Sequence, residues 1–254
     1  MIGEPPISSS ATVSPVDAWT YQGPRPAHRA RPLSVEEIGG VVADFARAAR
    51  NAIAAGFDGV QLHGANGMLI DQFLRDSANQ RTDRYGGGVE NRVRLLAEAT
   101  QAVADVIGAD RTSVRLSPNG ETWGVDDSNP TPLFVAAAQA LSAIGIGFLE
   151  LKEHRATGTY AVTDVPRQSP YIRQHFAGPL ILNSDYDAPR AIADLDSGLA
   201  DAISFGRSFL ANPDLVRRLR EGARLNAANP ATFYTQGREG YLDYPTLDAA
   251  QAAA

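Results

Sequence analysis

Between residues 34 and 205 the chain repeats one pattern five times: a stretch of helical spacing, a break, then a short apolar run. Ser34 and Glu37 open the first helix as a capping box, with Leu33 and Ile38 set as its hydrophobic staple. Ile38, Val41, Val42, Phe45, Ala49 and Ile53 then recur at helical spacing, and Gly56 supplies the stop. The run 59–62 follows and ends at His63. A second helix carries Val89, Val93, Leu96, Val103 and Ile107 on one face, stops at Gly108 and leads into a strand over 112–116. The third opens at Thr131-Pro132, proline suiting a first helical turn, and precedes 148–151. The fourth opens at Ser169-Pro170 and halts at Gly178 ahead of 180–182, and the fifth begins near Asp187 ahead of 202–205. A last helix opens at Asn212-Pro213-Asp214.

Short, nearly all-apolar strands alternating with helices mean a parallel sheet covered by helices. The 254 residues match the length of a whole (β/α)8 barrel, about 250 residues, yet only five units are present. Residues 1–33 are rich in Pro, Ser and Arg, show no period and cannot hold three more units. The expected fold is therefore α/β, a TIM (β/α)8-type barrel N-terminally truncated to about five parallel strand–helix units. An extended loop or arm over 1–33 precedes the partial barrel of 34–247, and an alanine-rich tail over 248–254 closes the chain.

The net charge of −6 argues against a nucleic-acid partner and leaves no basic stripe for a membrane surface. No apolar run approaches the roughly 20 residues of a membrane span. The first ten residues lack both a basic region and an apolar core, so no signal peptide is expected and a cytoplasmic location is the default. With no cysteine there is no thiolate nucleophile and no cysteine-based metal site. Arginine supplies nearly all positive charge, Lys152 being the only lysine.

In parallel α/β folds the site lies at the carboxyl ends of the strands. Those positions hold His63 and Asn66, then Arg115, then Glu150 and Lys152, then Asn183, and finally Gly206 and Arg207. They include no carboxylate cluster for a metal, no G-x-S-x-G elbow and no G-x-G-x-x-G. Imidazole, amide and guanidinium donors remain. Such donors suit an anionic cofactor, or a substrate oxygen that gains charge in the transition state. Singly, His63 and Asn66 also read as a loop-capping pair, Arg115 as an ion-pair partner and 205–207 as a turn; placement on successive strand ends favours a site. Asn183-Ser184 and Gly206-Arg207 fall where barrels often bind phosphate.

From about residue 5 to 247 the sequence resembles the old yellow enzyme family of flavin-dependent ene-reductases. The stretches that carry the resemblance are GFDGVQLHGANG, DQFLRDSANQRTDRYGGGVENR, VRLSP, ISFGRSFLANPDL and GYLDYP. It implies non-covalent FMN on a (β/α)8 barrel, NADH or NADPH as reductant, and an α,β-unsaturated carbonyl or nitro compound as acceptor. By the same resemblance His63 and Asn66 are catalytic, holding the acceptor's oxygen. Arg115 lies beside the flavin N1–O2 edge. Asn183, Ser184, Asp185, Gly206 and Arg207 bind the cofactor toward its phosphate, and Tyr234 lines the substrate pocket. No metal is implied.

Three departures bear on activity. Met68 stands where the family carries a proton-donating tyrosine, and a thioether has no proton to give. Asn183-Ser184-Asp185 brings a carboxylate where glycine is common. The family's first three strand–helix units, with a Pro/Thr pair and a glutamine that hold the flavin ring, match nothing here. Activity of this chain by itself is thus left open, and weak FMN binding is expected of it. The alternatives are a barrel remnant that binds flavin weakly or not at all, a half completed by a chain carrying the first three strands, or a flavin-free phosphate-binding barrel; a homo-oligomer or a complementing N-terminal fragment is the expected macromolecular partner.

Overall fold

The computed structural model describes residues 4–158 and 162–252; the last two residues of the alanine-rich tail and the first three of the arm lie outside them. The arm contains four short strands, β1 (Ile7–Ser8), β2 (Ala18–Thr20), β3 (Gly23–Arg25) and β4 (Arg31–Pro32). β1 runs parallel to β4, and β2 and β3 form an antiparallel hairpin. The sequence predicts an extended loop or arm here, without these short pairings. The difference arises from anchors far along the chain: Ser8 Oγ donates to Gln72 Oε1 at 2.7 Å, and Ser9 Oγ to the carbonyls of Gln72 and Ala78 at 2.8 and 3.1 Å.

The repeating units follow as α1 (Val35–Ala54), β5 (Val60–Gly64), α2 (Leu69–Leu74), α3 (Val89–Ile107), β6 (Thr112–Leu116), α4 (Pro130–Ile144) and β7 (Phe148–Lys152). Then come α5 (Ser169–Arg173), β8 (Leu180–Asn183), α6 (Ala188–Asp196), β9 (Ala202–Ser204), α7 (Arg207–Ala211), α8 (Leu215–Glu221) and α9 (Leu247–Ala252). The capping box forms as read: Glu37 N–H donates to Ser34 Oγ at 3.2 Å and Ser34 N–H to Glu37 Oε2 at 2.8 Å. Leu33 and Ile38 are buried in one small cluster, as a staple requires. Gly145 ends α4 in the left-handed region at φ 75°, where a Cβ is costly.

The five long-range strands lie in the order β5-β6-β7-β8-β9, every neighbouring pair parallel. This is the barrel order, and it brings all five carboxyl ends to one rim. Among the described residues no further strand pairs with β5 or β9.

The strands are not uniformly apolar. Successive side chains point to opposite faces. On one face Leu62, Val114, Leu116, Leu149, Leu151, Leu180 and Leu182 are buried against the helices. The other face carries Gln61, His63, Ser113, Arg115, Glu150, Lys152 and Asn183. Short runs of four or five residues hide this alternation when read singly, and only the pairing register aligns it. α1 packs on α3 and α3 on α4, which closes the outer layer. Truncating one of these buried leucines to alanine costs about 2–5 kcal/mol.

Candidate active site

His63 and Arg115 are register partners on adjacent strands, and Arg115 is in turn the partner of Glu150. The imidazole therefore sits beside a guanidinium at the rim. Burial first, and then the positive charge of Arg115, hold His63 below its ordinary value, with Asp71 and Glu150 opposing. Histidine's imidazolium ordinarily loses its proton near pH 6.5, so a downward shift favours the neutral ring at pH 7, which can offer one N–H.

The loop after β5 is fixed from beneath. Asn66 adopts φ 59°, a left-handed conformation that asparagine tolerates better than most residues. Its N–H donates to Ser117 Oγ at 2.8 Å, while its buried Oδ1 has no hydrogen-bond partner. Gly67 N–H donates to Asp71 Oδ2 at 2.9 Å; a Cβ on Gly67, at φ 73°, would stand 2.7 Å from the Thr122 carbonyl oxygen. Asp71 is fully buried and its carboxyl is pushed up by burial, against the pull of Arg75 at 2.9 Å. Arg75 also donates to the carbonyls of Gly120, at 2.9 Å, and Ser117. Met68 follows on this loop, half-exposed, as the cap of α2 with no side-chain hydrogen bond to the helix.

Lys152 ends β7 opposite Asn183, its Nζ 2.9 Å from His154 Nε2. Burial, together with Arg115 and Arg75, pushes it down to about 8. Arg115 donates to Asn183 Oδ1 at 2.9 Å and lies 3.5 Å from Glu150 through Nε, an ion pair without hydrogen-bond geometry.

Beyond β8 the backbone turns left-handed twice, at Ser184 (φ 99°) and Asp185 (φ 51°). Arg190 donates to the Ser184 carbonyl at 3.0 Å, and Arg155 to that of Asp185 at 3.3 Å. The Asp185 carboxylate pairs with Arg207, which opens the five-residue α7 behind its cap Gly206. Tyr234 follows the 3-10 turn Pro230–Thr232, outside the five strands, with its ring exposed (85%).

The structure thus groups His63 and Arg115 as strand partners and links Arg115 to Asn183. Asp185 and Arg207 form a second group with Ser184 and Gly206. Reading the strand ends missed Gln61, Ser117 and Ser204. For Gln61 and Ser204 the only sequence signal is parity, Gln61 standing two before His63 and Ser204 one after Ile203, on positions that look like part of an apolar run, while Ser117 lies just past the end of β6.

An old yellow enzyme homologue from Zymomonas mobilis is 52% identical, with a TM-score of 0.94 over 96% of this chain and 68% of that one. Morphinone reductase in complex with tetrahydroNAD is 40% identical, with a TM-score of 0.88 over 98% and 68%. A 12-oxophytodienoate reductase of Arabidopsis thaliana is 39% identical over 245 residues, covering 96% of this chain and 64% of its relative. The chain spans about two thirds of the length of these relatives. A family model for FMN oxidoreductases matches residues 6–226. The chain belongs to the NADH:flavin oxidoreductase / NADH oxidase family.

Proposed function

We propose that this chain forms the catalytic face of an FMN-dependent ene-reductase, driven by NADH or NADPH and acting on the alkene of an α,β-unsaturated carbonyl or nitro compound. The observation that carries this is the His63–Arg115 register pair, a neutral donor beside a fixed cation on one rim. His63 and the Asn66 amide bind the acceptor's oxygen, and both interactions strengthen as negative charge grows there, which is what lowers a barrier. The left-handed turn at Asn66 presents its amide without reorganisation. Bound FMN supplies the two electrons of the reduction.

The residues present fit that group at its ring edge: Arg115 and Lys152 give positive charge, with Arg115 tied to Asn183. At the phosphate end Gly206, Arg207 and the backbone of Ser184 and Asp185 supply the donors, while the Asp185 carboxylate opposes the phosphate charge. Tyr234 covers the acceptor from the exposed side. Met68 cannot donate a proton, so the α-carbon is protonated by water or by a hydroxyl such as that of Tyr234.

A second reading, a half that works when three further strands complete it, is favoured by the unpaired outer edges of β5 and β9 among the described residues. The test for the first reading is anaerobic reduction of the FMN-saturated chain by NADH and NADPH, then reoxidation by cyclohexenone or nitrostyrene. Both acceptors should reoxidise it, and His63→Ala should slow both by about 10²–10³-fold. An FMN-saturated protein that reduces neither acceptor sinks the reading, unless adding the first three strands restores turnover, which supports the second.

A further inference from the structure

One polar side chain from each of the five parallel strands meets on the inner face, and Glu150 accepts hydrogen bonds from the two outermost, Gln61 and Ser204. Ser204 Oγ of β9 donates to Glu150 Oε1 at 2.7 Å. Gln61 Nε2 of β5 donates to Oε2 at 3.0 Å, and Arg115 Nε of β6 lies 3.5 Å from the same oxygen. Asn183 of β8 closes the ring: its Nδ2 donates to Ser204 Oγ and to the Ser204 carbonyl, both at 2.9 Å, and its Oδ1 accepts from Arg115 at 2.9 Å. The Ser204 hydroxyl spends its one proton on Glu150, so it can only accept from Asn183. That fixes the Asn183 amide with its oxygen toward Arg115.

We propose that Glu150 is a positioning residue that holds the Arg115 guanidinium at the rim and offsets part of its charge toward His63. The carboxylate is tethered from both sides, by β5 and β9, with only 13% of its side chain exposed, so it is a fixed charge and not a mobile surface partner. His63 feels Arg115 and Glu150 with opposite signs and Asp71 with the same sign as Glu150. Lys152, on the same strand, adds a second cation at the rim. Without Glu150 the rim would carry two cations with no carboxylate from the belt to balance them. This rests on the reading in which Arg115 faces the flavin N1–O2 edge, although its first readout needs no flavin.

The experiment is an NMR titration of His63 in the purified protein and in Glu150→Gln, with circular dichroism to establish that the variant is folded. Loss of the carboxylate should lower the His63 pKa by about half a unit or more. In the flavin-loaded proteins the preference for reduced over oxidised flavin should rise about tenfold, equivalent to about 30 mV for two electrons. Ser204→Ala and Gln61→Ala keep the charge but each removes a tether. They should speed solvent exchange of the Arg115 Nε–H about tenfold, which keeps the proposal testable if Glu150→Gln folds poorly. An unmoved His63 in a folded Glu150→Gln, or parent-like Arg115 exchange in both tether variants, overturns it. A shifted His63 with an unchanged flavin preference leaves the role of Glu150 standing and refutes the placement of Arg115 beside the flavin.

Discussion

The Asp185 carboxylate closes an ion pair on the Arg207 guanidinium across 22 positions of sequence, at the place we propose for the FMN phosphate. On that proposal the two anions would compete for one cation. Asp185→Asn removes the internal competitor and suits the left-handed backbone there, since asparagine is favoured at positive φ. FMN should bind about tenfold tighter to the variant while riboflavin, which lacks the phosphate, is unchanged; a tenfold step is about 1.4 kcal/mol. Quenching of flavin fluorescence measures both, and an unaltered FMN-to-riboflavin ratio would count against the competition.

Met68 stands on the loop that carries Asn66, and Met68→Tyr restores a hydroxyl at that point. In the flavin-loaded protein the change should speed reduction of simple enones by about 10²-fold, the usual worth of a general acid. Nitroalkenes should gain little, because a nitronate is stable enough to take its proton later from water. Stopped-flow reoxidation with each acceptor distinguishes the two. Equal acceleration of both, or none, means that position 68 does not deliver the proton.

Lys152 titrates at about 8 in the folded protein, against 10.5 for a free lysine. Between these values the unfolded chain binds the extra proton, so stability rises with pH across the window. Urea unfolding at pH 7, 8.5 and 10 should show that rise in the parent and a flatter profile in Lys152→Met. A profile that is identical in the two would place the titration elsewhere.

Asp71 and Arg75 form a buried pair under the Asn66 loop, with side-chain exposures of 0% and 1%. Asp71→Ala leaves the buried guanidinium with only the part-exposed Asp126 carboxylate, 3.3 Å from its Nη1, and frees the Gly67 N–H. The expected loss is about 3–5 kcal/mol in denaturant unfolding, as for other broken buried pairs. A loss below about 1 kcal/mol would mean that water reaches Arg75.

Much of the frame was legible because its signals are local. The Ser34–Glu37 box, the stop at Gly108 and the apolar runs each lie within a few residues, and the strand limits agree to within about two positions. α2 and α7, of six and five residues, are too short to display a helical period, and the β1–β4 pair depends on hydrogen bonds to Gln72 and Ala78. At the site, His63 and Arg115 could be read as strand ends. The partnership of Glu150 with Ser204 could not, because 54 residues and two strand registers separate them.

The period-two division of the strands separates two kinds of heritable change. Substitutions at Gln61, His63, Glu150 or Asn183 fall on the face that does not touch the helices, while Leu62, Leu149 and Leu182 carry the packing from the adjacent positions. Changes along one parity of residues therefore leave the leucine packing carried by the other in place. Met68, on the loop beyond β5, belongs to neither set.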